Sequence, residues 1–205
     1  MTLPLTRTRR QLTPADLLPV EDYARIRSQR RRELVELKKH RQVEVGPFAR
    51  FYFENFETMR SQVQEMLYIE MGGEAQLADE LEAYNPLIPQ GSELVATVMF
   101  EIVDPERRAR MLMQLGGIEH RAFIELRMEA GVARIRGEPD PTRENTSPQG
   151  KASAVQFIRF GFTREEIAAF KTPGAHVVVG FDHPNYAHMA ALPEPARATL
   201  AADFD

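Results

Sequence analysis

Two short extended runs, Gln42 to Val45 and Phe48 to Asn55, flank a Gly46-Pro47 turn, and the second feeds straight into a helical pattern. On that helix Met59, Val63, Met66 and Leu67 share one face. The segment predicts a hairpin with a helix folded back on it, a seed for a core. Further along, Leu94, Ala96, Val98, Phe100 and Ile102 alternate with Val95, Thr97, Met99 and Glu101. Both sets are mainly apolar, so Glu93 to Val103 reads as a central strand covered on both faces.

The other elements follow from caps and breakers. A helix is expected from about Glu21 to His40, with Tyr23, Ile26, Leu34 and Leu37 on its apolar side and arginines and lysines around the rest. Gly72-Gly73 ends the central helix, and Glu74 to Tyr84 forms the next. Asp104-Pro105 opens a helix that stops at Gly116-Gly117. A hairpin is expected from His120 to Met128 and Val132 to Arg136, then a strand from Ser153 to Phe162. Thr163 and Glu166 form a capping box for a helix to Lys171. The strand Ala175 to Phe181 and a small-residue helix near Glu194 to Ala202 complete the pattern. Hairpins mixed with short crossovers predict an α+β fold, a largely antiparallel sheet with helices packed on one face, plus an N-terminal basic helix. Residues 1–11 read as a disordered arm and 12–205 as a single α+β domain. Within it, 12–41 is a helical extension and the polar, proline-bearing 138–151 a mobile loop.

Composition narrows the chemistry. The chain has 205 residues and no cysteine, which excludes disulfides, thiol nucleophiles and thiolate-ligated iron–sulfur clusters. Any metal would fall to histidines and carboxylates. No apolar run is long enough to span a membrane and no apolar segment follows the N-terminal arginines as in a secretory signal, so a cytoplasmic protein is expected. Net charge is −4, yet residues 1–50 carry +6 and the remainder −10. A basic N-terminal portion on an acidic body suits an acidic partner or a second copy of the chain. Nucleic acid is not expected, because no aromatic residues interleave with the arginines as stacking platforms.

Three constellations could carry chemistry. Asp182, His183, Tyr186 and His188 leave a buried strand together, where a loop gathers functional groups. The central helix carries Gln62, Gln64, Glu65 and Glu70; Glu70 falls within the stripe of Val63 and Met66, whereas Glu65 lies nearly opposite Val63. Glu101, taken as part of a buried strand, needs a partner, and Arg159 on another strand is the plain candidate. His183, His188 and Glu101 form a candidate ligand set for iron or manganese, whereas Gln64, Glu65, Asp182 and Tyr186 are candidates for contact with a partner or ligand. No phosphate loop, dinucleotide fingerprint, zincin motif or nucleophile elbow occurs.

The stretches LTPADLLPVEDYARIR from Leu12, KKHRQVEVGPFARFYFENFETMRSQVQEML from Lys38, YNPLIPQGSELVATVMFEI from Tyr84, SAVQFIRF from Ser153 and GFDHPNYAH from Gly180 resemble a bacterial domain-of-unknown-function family. The resemblance spans nearly the whole chain and assigns no catalytic residue. Members of that family are often encoded beside rubrerythrin-like proteins and iron–sulfur oxidoreductases. It implies a place near redox or peroxide handling, with such proteins as partners. Two readings follow: a non-catalytic accessory protein that docks onto a redox partner, or a His/carboxylate metalloprotein with an oxidoreductase-type role.

Overall fold

The structure is a computed structural model, and it describes residues 10–205. Most of the expected arm therefore lies outside the described residues. The elements run α1 (Val20–Lys38), β1 (Gln42–Val45), β2 (Ala49–Phe53), α2 (Phe56–Glu70), α3 (Gly73–Tyr84), β3 (Glu93–Phe100) and α4 (Pro105–Met113). Then come β4 (Ala122–Met128), β5 (Gly131–Pro139), β6 (Val155–Gly161), α5 (Arg164–Lys171), β7 (Val177–His183), β8 (Tyr186–Ala191) and α6 (Glu194–Ala201). The fold is α+β, with one eight-stranded sheet in the order β1-β2-β3-β6-β5-β4-β7-β8. Every strand pair in it is antiparallel.

The sheet curls until its edge strands β1 and β8 meet, so the structure is nearly a barrel. Tyr186 bridges the seam. Its phenol donates to the Val45 carbonyl at 2.7 Å and accepts from the Ala49 and Phe48 amides at 3.0 and 3.3 Å. Gly46, at φ +70°, lies on the same seam; a Cβ there would stand 2.6 Å from the His188 ring. Glycine is what lets the two edges approach.

Alternation sorts side chains into two cores. Phe51, Phe53, Leu94, Val98, Phe100, Ile158, Phe160 and Phe181 belong to the main one, inside the curl. Val95 faces outward and packs with Leu12, Phe56, Met59, Val63, Leu87 and Ile88, beneath α2. This explains why β3 is apolar on both sides. Helices thus pack around a rolled antiparallel sheet.

Several boundaries differ from the expectation. Asp182 to Tyr186 is not a loop but a tight β7–β8 hairpin in which His183 opposes Tyr186. Glu101 lies just past β3 and is exposed, so burial does not force a partner on it. Arg159 instead pairs with Glu93 at 2.6 Å. In the 138–151 segment β5 extends to Pro139, Thr146 bridges Ala152, and the Thr146 hydroxyl links Glu119 to the Gly117 amide. The 12–41 segment is built into the body at both ends: Leu12 exchanges two hydrogen bonds with Asn85, and Arg41 forms a buried bidentate pair with Asp203.

Candidate functional site

The expected metal ligands do not come together. His183 Nδ1 accepts from the Asn185 amide at 3.2 Å, which puts the ring proton on Nε2, 3.3 Å from the Gly116 carbonyl. Both nitrogens are thereby used. His188 is exposed, with its ring edge-on to Tyr186 at 4.6 Å between centroids. Glu101 accepts from Tyr52 at 2.5 Å and sits 3.5 Å from Arg50. Burial, and then that hydrogen bond, push the Tyr52 phenol up to about 12. Among the described residues no group of three or more His, Asp or Glu is placed to hold a metal ion.

The four residues expected to meet a partner or ligand are engaged within the chain. Gln64 is buried and exchanges hydrogen bonds with the backbone of Leu18. Glu65 accepts from Tyr23 at 2.5 Å and pairs with Arg27 at 2.8 Å, fastening α1 to α2. The Arg27 hydrogen bond is the main cause holding the Glu65 carboxyl below its usual range. Asp182 pairs with Arg134 and Arg136 on β5. Tyr186 is the seam, and burial raises its phenol pKa.

Two other features are open to solvent. One is the outward side of α1. Arg25 and Arg30 make only exposed pairs one turn away, with Asp22 and Glu33, while exposed Arg32 and Lys39 make no ion pair among the described residues. Counted with Lys39, the helix carries seven Lys/Arg against four Asp/Glu, so its outward side is a strip of net positive charge.

The other is a cleft of about 430 Å³ between the end of α1, α2, the end of α3 and the outer face of the sheet. Its floor is set by register: Tyr52, Thr97 and Phe157 stand side by side across β2, β3 and β6, and Met99 beside Val155 forms the next row. Met59 and Gln62 of α2, Tyr84 and Lys38 supply the walls. Glu54 stands among them, between the last residue of β2 and Asn55, the residue that caps α2. Its amide donates to the Val95 carbonyl at 2.8 Å and its Oε1 accepts from the Thr97 hydroxyl at 2.7 Å. Oε2 is buried with no hydrogen-bond partner. Glu54 is not among the residues that the sequence pattern singles out; the signal for it is a carboxylate wedged into Phe51-Tyr52-Phe53-Glu54-Asn55-Phe56. No described helix is long and apolar enough to cross a membrane.

A family model described as "Protein of unknown function (DUF3501)" matches residues 11–204. A solved structure, a novel protein of unknown function from Burkholderia pseudomallei, is 37% identical. The match covers 95% of this chain and 100% of that one, with a TM-score of 0.87. No curated protein matches the chain.

Proposed function

The chain belongs to the DUF3501 family of proteins of unknown function, and from that premise we propose that it is a non-catalytic accessory protein which binds an acidic protein partner. The supporting observation is the net positive strip on α1: α1 spends Tyr23 and Arg27 in docking onto α2 and leaves Arg32 and, just past its end, Lys39 exposed and without ion pairs among the described residues. Opposite charge on a partner would steer encounter and set register. The resemblance read from the sequence points to a redox or peroxide-handling setting, with a rubrerythrin-like protein or an iron–sulfur oxidoreductase as the partner.

Calorimetric titration of this chain with each such partner tests the reading. Binding is expected at about 0.01 M ionic strength and should weaken markedly at about 0.15 M, as the Debye length falls from about 30 to about 8 Å. The double variant Arg32→Glu, Lys39→Glu should abolish it. No binding at low salt to either partner, or binding indifferent to the charge reversal, overturns the proposal.

A further inference from the structure

Glu54 is 5% exposed, yet only one of its carboxylate oxygens has a donor. An ionised carboxylate offers about four acceptor sites, and buried polar groups in folded proteins are nearly always satisfied. The nearby groups do not fill the gap. The amide of Thr58 in the first turn of α2 is taken by Asn55, and the Thr97 hydroxyl serves Oε1. Among the described residues Lys38 is the one cation lining this cleft, and it makes no ion pair with Glu54.

We propose that the cleft binds a small organic cation: an ammonium group carried on an aromatic or aliphatic body. The ammonium supplies the donor that Oε2 lacks, in a charge-assisted hydrogen bond. The body lies between the thioethers of Met59 and Met99 and the rings of Phe157 and Tyr84, which suit flat apolar groups. The volume of about 430 Å³ falls in the range of small-molecule sites. An anionic ligand would face the Glu54 charge, and a neutral apolar one would leave Oε2 without a donor. Because Oε2 has no exposed surface, entry requires a lining side chain to turn aside; Lys38 and Gln62 are the long, flexible ones. Lys38 is also the rival cation for Glu54, so removing its charge should strengthen binding.

The test compares three ligands of similar shape, 2-phenylethylamine, 2-phenylethanol and phenylacetate, by ligand-observed NMR and amide-shift mapping on the full chain. Expected is binding of the amine at about millimolar concentration, with the alcohol and the acid weaker by about tenfold or more. Shifted amides should cluster at Glu54, Thr97 and Phe157. Glu54→Gln should weaken the amine by about tenfold and Lys38→Met should tighten it. Val155→Trp, at a half-exposed strand position on the rim, should block it and serves as the second variant should Glu54→Gln fail to fold. Equal binding of the amine and the alcohol, an amine that binds Val155→Trp unchanged, or no amine binding up to about 10 mM overturns the proposal. None of these outcomes bears on partner docking through α1.

Discussion

Glu65 makes the contact between α1 and α2 sensitive to acid. Its carboxyl, held low chiefly by Arg27 and also by Tyr23, contributes stability above the usual carboxyl value of 4.5 and loses it as pH falls through the lower folded value. Tyr23 sets the opposite limit. Burial first, then Glu65, raise its phenol pKa, so its contribution is complete below 10.0 and fades as pH climbs above that. Glu65→Gln is expected to cost about 1–2 kcal/mol at neutral pH, the worth of a partly exposed charge-assisted bond. The cost should shrink as pH falls below 4.5 and through the lower folded value, where the wild-type carboxyl itself becomes protonated. Urea unfolding at several pH values checks this, and a loss independent of pH would contradict it. The sequence marks Gln64 and Glu65 as polar residues on an apolar helix. It does not show that Leu18, Tyr23 and Arg27, some 40 positions earlier, use them, because that depends on how two helices cross.

At the scale of elements, β3 was legible and β8 was not. Burial on both faces writes a continuous apolar run into β3, whereas β8, Tyr186-Ala187-His188-Met189-Ala190-Ala191, is mostly small and exposed. Small residues carry weak strand preference, and only Tyr186 in that strand is fully buried. Yet that one side chain joins the two edges of the sheet. Tyr186→Phe would strip the Val45 carbonyl and the Phe48 and Ala49 amides of their partner while keeping the ring. The expected loss is about 1–3 kcal/mol. Hydrogen exchange should accelerate at Phe48 and Ala49 before it does in β3, and unchanged protection there would show that the phenol does not hold the seam.

Across the whole molecule, the antiparallel α+β class was readable from local pattern, but closure was not, since it depends on partners far apart in sequence. Tyr186 reaches Val45, and Arg41 reaches Asp203, with both members of the second pair under 10% exposed. Arg41→Met alone should cost about 3–5 kcal/mol, because it strands a buried carboxylate. Adding Asp203→Leu should restore most of that, as apolar packing replaces the ion pair; thermal melts of the two single variants and the double variant decide it. The same region draws distant positions together. Arg10 touches Asp205 at 2.5 Å and the Asp203 carbonyl at 2.8 Å, while the Asp205 amide donates to the Gly91 carbonyl at 3.0 Å. Positions 10 and 205 are thus within the span of a linker of about three or four residues, at roughly 3.5 Å each. The backbone traces an almost closed loop. A gene reordered to join those positions and to open the Glu129-Ala130-Gly131 turn would encode a circular permutant with every strand neighbour, and the α1 strip and the Glu54 cleft, in place.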